Sequence, residues 1–152
     1  MKASSLPLSL LFLFPSFLFS QATTFEDLKL LMAREATVVE EQGNMIQYKI
    51  GELPIYLIVD ESSNRMRLMA PIVETKELKE EDMKILLDSN FDRALDAKYA
   101  TSNEILWSVY AHPLKELYKD QFIDALSQVR NLVYNYGVSY ASTTMVFGGD
   151  GN

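Results

Sequence analysis

The feature that most constrains this sequence is a set of three strand-like segments with very short connections. Residues 45–50 alternate apolar and polar side chains, residues 55–59 are apolar throughout, and residues 65–73 alternate again. Parallel neighbouring strands need a crossover of about a dozen residues or more, whereas antiparallel neighbours need only a hairpin. The spacing therefore predicts an antiparallel meander. Its predicted connections are residues 51–54 and 61–64.

Apolar residues repeat with the period of a helix in three other segments, residues 24 to about 35, 77–97 and 119–136. A threonine at position 23 or 24 can cap the first helix, and Gly137 stands where a C-terminal glycine cap belongs. The second helix is predicted to bury one stripe of side chains. That stripe consists of Leu78, Met83, Leu86 or Leu87, Phe91 and Leu95.

A hairpin is predicted between the second and third helices. Residues 99–102 and 105–112 form its strands, joined by a two-residue turn, and Pro113 ends the second strand because proline has no N–H to donate to a ladder. Trp107 and Tyr110 fall on opposite faces of that strand, so one of them is expected to face the core.

Two further segments, residues 37–39 and the tail 138–147, are rich in β-branched residues or aromatics and are predicted to be extended. The order of elements is then helix, strands, helix, two strands, helix. This order is typical of an α+β domain. We expect an antiparallel sheet of about five to six strands packed with three helices.

The N-terminal segment predicts export. Lys2 precedes an apolar run over residues 6–19, and Ser20, Gln21 and Ala22 follow with small residues at the positions that a signal peptidase reads. A membrane-spanning helix needs about 20 apolar residues, and this run is shorter. We therefore predict a signal peptide at residues 1–22, cleaved after Ala22, and a single secreted or periplasmic domain at residues 23–152.

The composition removes several classes of function. The chain has no cysteine, which excludes thiol catalysis and thiolate metal sites, and His112 is its only histidine. A net charge of −7 is unsuited to nucleic acid or to an anionic membrane surface. Hydrolase, nucleotide-binding and calcium-loop motifs are absent from the sequence. We therefore predict no enzyme and no cofactor, and we assign no catalytic or metal-binding residue.

Asp88, Asp92 and Asp96 form the one cluster with a chemical interpretation. Their spacing places three carboxylates on one face of the predicted second helix. Oxygen ligands suit a divalent cation such as calcium, and a hydrolase that uses these carboxylates is a further alternative. Calcium sites usually wrap a loop around the ion, and Lys84 and Arg93 lie near enough to balance the charge. We interpret the row as a solvated face, with a small-molecule or divalent-cation-binding domain as the alternative function.

The second half of the chain resembles type III secretion chaperone-like domains. Residues 86–100 read LLDSNFDRALDAKYA and look like the L-L-x-x-N-F…A-x-Y-A passage of that group. The group includes the YbjN-like family, described as bacterial sensory-transduction regulators. Residues 106–114 and 122–129 continue the pattern, and residues 55–68 also fit it.

The resemblance implies a helix–sheet–helix domain, commonly dimeric, that binds another protein chain. Secretion chaperones hold effectors in the cytoplasm before export, whereas this chain has a predicted export signal of its own. We therefore expect it to share the fold of these chaperones but not their cytoplasmic function. Asn90 and Asp96 match the family pattern, and we assign them to hydrogen bonding at the helix end. We predict a non-enzymatic, exported, chaperone-like or regulatory homodimer that accepts an extended segment or a helix from another protein.

Overall fold

The computed structural model describes residues 22–145. The predicted signal peptide, apart from Ala22, lies outside the described residues. The helices are α1 (Phe25–Met32), α2 (Glu80–Asp92) and α3 (Lys119–Tyr134). The strands are β1 (Thr37–Gln42), β2 (Met45–Ile50), β3 (Leu53–Asp60), β4 (Arg65–Glu74), β5 (Lys98–Ser102) and β6 (Ile105–His112). The predicted α+β class and element order are confirmed.

All six strands form one antiparallel sheet in the order β1-β2-β3-β4-β6-β5. The first four strands follow chain order because tight turns connect them, and Gly43 and Gly51 adopt φ +60° in two of these turns, where a side chain would be strained. β5 turns back through β6 to β4 and becomes the second edge of the sheet. The predicted meander and hairpin are confirmed, although β3 begins at Leu53, within the predicted connection.

The alternation of side chains divides the sheet into a covered face and an uncovered face. On the covered face, strand residues pack with Leu28 and Met32 of α1 and with Phe122, Leu126 and Val129 of α3 in one apolar core. These strand residues include Ile46, Tyr48, Ile55, Leu57, Met66, Leu68, Leu106 and Tyr110. Apolar burial of this kind stabilises the domain by about 25 cal/mol per Å² removed from water.

α2 ends at Asp92, five residues earlier than the predicted end, and begins after a separate 3-10 turn at Thr75–Glu77. Two long side chains hold the chain that leaves the helix. Gln128 of α3 accepts hydrogen bonds from the backbone N–H groups of Asp96 and Ala97 at 2.9 and 3.1 Å. The Lys98 ammonium donates to the carbonyls of Asn90, Ala94 and Leu95. These contacts come from distant parts of the chain, so helical periodicity could not predict the early end.

The predicted strand at residues 138–147 is wrong over its described part, because residues 138–145 contain no strand. Side chains of α3 hold this tail instead. Asn131 donates to Ser142 O and Asn135 donates to Ala141 O, each at 2.8 Å. The fully buried Ser142 also accepts through its hydroxyl from the N–H of Leu95 at 2.7 Å. Side chains of α3, rather than a neighbouring strand, thus accommodate the carbonyls of Ala141 and Ser142.

Candidate functional site

The uncovered side of the sheet presents an apolar patch that we call the open face. Within residues 22–145 no helix packs on it, and its side chains are half-buried rather than buried, because only their neighbours in the sheet shield them. Trp107 stacks edge-to-face with Tyr56 at a ring-centroid distance of 5.7 Å, whereas Tyr110 faces the core, as predicted. The open face consists of Tyr56, Ile58, Met69, Pro71, Trp107 and Val109.

A second apolar surface lies on α2, and we call it the α2 stripe. Its members Met83, Leu87 and Phe91 are spaced by four residues and share one side of the helix. Their exposed fractions are 38%, 66% and 82%, whereas Leu86 is buried at 3%. The prediction that Met83 and Phe91 lie in the buried stripe is therefore wrong, because the rest of the described chain covers α2 only around Leu86 and Ser89.

The two edges of the sheet differ in how their backbone groups are satisfied. At β5, the side-chain amide of Asn90 donates to Tyr99 O at 3.0 Å and accepts from Tyr99 N at 2.7 Å, so it takes the place of a neighbouring strand. From the sequence, Asn90 is expected to form hydrogen bonds at the helix end. Asn90 does lie near the end of α2, and the group that its side chain binds is the backbone of Tyr99 on β5. At the opposite edge, all six residues of β1 are exposed, and the outer side of β1 has no strand partner in the described chain. A register shift between Val38 and Glu40 marks a bulge, a feature that protects edges against uncontrolled pairing.

Replacing Asn90 by alanine is expected to lower the free energy of unfolding by about 1–3 kcal/mol, because the N–H and C=O of Tyr99 lose their partner in a partly buried place. Hydrogen exchange of the Tyr99 amide should accelerate as well. Asp88→Ala is the matched control on the same helix, because within residues 22–145 the Asp88 side chain makes one ion pair, with Lys84, and that pair is exposed. Equal losses in the two variants, measured by denaturant unfolding, would show that Asn90 does not protect the edge.

The three aspartates do not form the row that the sequence predicts. Asp88 and Asp92 lie on α2, but Asp96 follows the end of the helix. Asp88 pairs with Lys84 at 2.5 Å, and a carboxylate oxygen of Asp92 lies 3.7 Å from Nε of Arg93. In the part of the chain that the structure describes, no three His, Cys, Asp or Glu side chains are arranged to hold a metal ion.

His112 is placed by two neighbours rather than directed at a nucleophile. Its Nδ1 lies 2.8 Å from the carbonyl oxygen of Pro113, and its Nε2 lies 3.0 Å from the amide nitrogen of Gln121. Since a carbonyl only accepts, these partners assign the hydrogen to Nδ1 and leave Nε2 to accept from Gln121. The ring also stacks on Tyr110 at 6.1 Å. Both nitrogens are thus engaged in structural hydrogen bonds.

A cleft of about 690 Å³ lies where the beginnings of α1 and α3 meet, lined in part by Leu31, Tyr118 and Lys119. Its one carboxylate, Asp27, accepts hydrogen bonds from the hydroxyl and N–H of Thr24 at 2.6 and 2.9 Å. These bonds lower the pKa of Asp27 and cap α1. The one carboxylate that lines the cleft is therefore engaged in the cap of α1. None of the helices among residues 22–145 is both long enough and apolar enough to span a bilayer.

No family model matches the chain, and no curated protein matches it in sequence. Two solved structures share its architecture. The HopA1-SchA chaperone-effector complex contains a chain with a TM-score of 0.56 and 10% identity, over 72% of this chain and 91% of that one. The ExsC-ExsE complex contains one with a TM-score of 0.54 and 16% identity, over 73% and 91%. The fold is type III secretion chaperone-like.

Proposed function

We propose that this chain is a non-enzymatic, exported protein-binding module that acts as a homodimer, as a secreted relative of the YbjN-like family. The observation that carries the proposal is the α2 stripe, which leaves Leu87 and Phe91 in water although they are the residues a helix usually buries. Exposed apolar clusters of this kind are typical of protein interfaces. The two neighbours in fold are themselves components of complexes, one of them between a chaperone and an effector.

The α2 stripe suits contact with its own copy. Around a two-fold axis, antiparallel helices place Leu87, the middle residue, near the same residue of the second protomer, with Met83 of one protomer next to Phe91 of the other. The first turn of α2 carries Glu80, Glu81 and Asp82, and Arg93 follows its last turn. The antiparallel arrangement would bring Arg93 of each protomer to the acidic first turn of the other, although Asp92 beside Arg93 leaves the end of α2 without a net positive charge.

Export is the second part of the proposal, and it rests on the N-terminal sequence. The first described hydrogen bonds of the fold come directly after the proposed cleavage site. Thr23 donates through its hydroxyl to Leu117 O at 2.5 Å, and Thr24 caps α1 through its hydroxyl. Cleavage after Ala22 would thus leave every described helix and strand intact.

One preparation tests both parts. The full-length chain is expressed in a host that exports proteins, and the exported product is analysed by N-terminal sequencing and by light scattering after size exclusion. We expect Thr23 as the first residue and twice the mass of one chain. A product that keeps Met1 would contradict export, and a monomer at every concentration tested would contradict the homodimer.

A further inference from the structure

One arginine beside the open face, Arg67, has no acidic residue next to it across the sheet. Arg67 lies in the middle of the sheet, on β4, where its register partners are Ile58 on β3 and Ala111 on β6. Because side chains alternate along a strand, Arg67 shares the outward side with Met69. It is exposed, and within residues 22–145 no carboxylate oxygen lies within 4 Å of its guanidinium.

The outward side of the sheet carries charges of both signs, among them the exposed Glu40 opposite Gln47 and three charged groups that have partners. Lys49 pairs with Glu52 at 2.8 Å, and the Lys98 ammonium is held by the carbonyls at the end of α2. Asp60 accepts from the hydroxyl of Ser62 at 2.6 Å and from the N–H of Ser63 at 2.9 Å. These hydrogen bonds lower the pKa of Asp60 to about 2 and tie its carboxylate to the hairpin.

Arg65, the first residue of β4, adds a second positive charge on the same side of the sheet as Arg67. One of its guanidinium nitrogens donates to Asn64 O at 2.8 Å. Positive charge is unexpected here, because the whole chain has 21 acidic and 14 basic residues. Arg65 lies opposite Asp60 in the β3–β4 ladder, so Arg67 is the positive charge that this apolar surface leaves without an acidic register partner. A second copy is a poor occupant, since a two-fold contact through this face would bring Arg67 close to its equivalent.

We propose that the open face binds an amphipathic α-helix of another protein, whose apolar side covers Tyr56, Met69 and Trp107 and whose acidic residue pairs with Arg67. A helix satisfies its own backbone hydrogen bonds, whereas an extended segment laid on this face would leave N–H and C=O groups against apolar side chains. The open face spans three adjacent strands about 4.8 Å apart, and a helix is about 10 Å wide, so the two match in width.

The proposal rests on the protein-binding function proposed above and names the partner's chemistry. Trp107 makes it measurable, because it is the only tryptophan of the chain and lies on the open face itself. The probes are two synthetic amphipathic helices of about 18 residues, or five turns, without tryptophan. They share one leucine face, which is flanked by glutamates in the first peptide and by lysines in the second.

Titration of the purified protein with the glutamate peptide should shift Trp107 emission to shorter wavelength and saturate. The lysine peptide should bind at least about tenfold more weakly, although the net charge of −7 attracts it. Arg67→Glu should weaken binding of the glutamate peptide by about tenfold or more and should strengthen binding of the lysine peptide. Arg34→Glu is the matched control, since Arg34 is also an exposed arginine, lies beyond the end of α1 and should change neither affinity when replaced.

Equal binding of the two peptides, or no change in Trp107 emission with either, would overturn the proposal. Binding of anionic vesicles or single-stranded DNA that Arg67→Glu abolishes would also overturn it, in favour of a phosphate-bearing ligand. Light scattering on the same samples separates this proposal from the one above. If neither peptide binds, but both the unchanged protein and Arg67→Glu are dimers, the proposal for the open face is wrong. The homodimer proposed above is then unaffected.

Discussion

Replacing Leu87 and Phe91 together by glutamate is expected to convert the homodimer to a monomer while the fold is retained. Burial of one such side chain contributes about 1.5–3 kcal/mol, and a two-fold interface contains each of them twice. The loss should therefore reach about 6 kcal/mol or more, which is roughly a 10⁴-fold weaker association. Both side chains are exposed within one protomer, so the monomer itself should keep its circular dichroism spectrum.

The matched control for this variant is Leu30→Glu. Leu30 is an apolar helix residue with an exposed fraction of 67%, close to that of Leu87, but it lies on α1. Light scattering over a range of concentrations should give a dimer for Leu30→Glu and a monomer for the double variant. A double variant that remains dimeric would exclude the α2 stripe as the interface.

Replacing Phe122 by alanine is expected to have the largest effect on stability. Phe122 is fully buried on α3 within the core formed with the covered face of the sheet. Phenylalanine-to-alanine changes in a core cost about 3–5 kcal/mol, because apolar contacts are lost and a cavity remains. Domains of this size are stable by only about 5–15 kcal/mol, so the variant should approach the unfolding threshold at 37 °C.

Urea unfolding followed by circular dichroism measures this loss. Tyr134→Ala on the same helix is the control, because Tyr134 is an exposed aromatic residue at the end of α3, and the cost should stay below about 1 kcal/mol. Similar losses for the two variants would mean that the core does not depend on Phe122. An unchanged dimer mass for Tyr134→Ala would confirm that the control leaves the proposed interface alone.

The strands were the part of the fold that the sequence predicted best. Alternation along residues 45–50 and 65–73 identified which side chains face the core, and burial of Ile46, Tyr48, Met66 and Leu68 confirms it. A strand has a period of two, so a shift of one residue would turn all of these side chains towards water. The alternation of apolar residues and the short turns together predicted an antiparallel meander with these side chains on one face.

The helices show what periodicity cannot resolve. The pattern of α2 correctly indicated an amphipathic helix, but it placed Met83 and Phe91 in the core of the monomer, where they do not lie. Periodicity identifies which side of a helix is apolar, and it contains no information on what covers that side. Periodicity also could not show that α2 ends at Asp92. Asp96 therefore lies in the connection to β5 and not on one helix face with Asp88 and Asp92.

The sequence by itself determined the fold class, the meander, the lack of thiol chemistry and the local signals for helices and turns, because these depend on residues close together in the chain. Only the tertiary structure decided where α2 ends, how Asn90 protects the edge at β5 and which apolar side chains remain exposed. Each of these depends on contacts between distant segments, such as that of Gln128 with Ala97. The open face belongs to the same group, and so does Arg67, which has no ion pair among residues 22–145, since the assembled sheet brings three strands together around it.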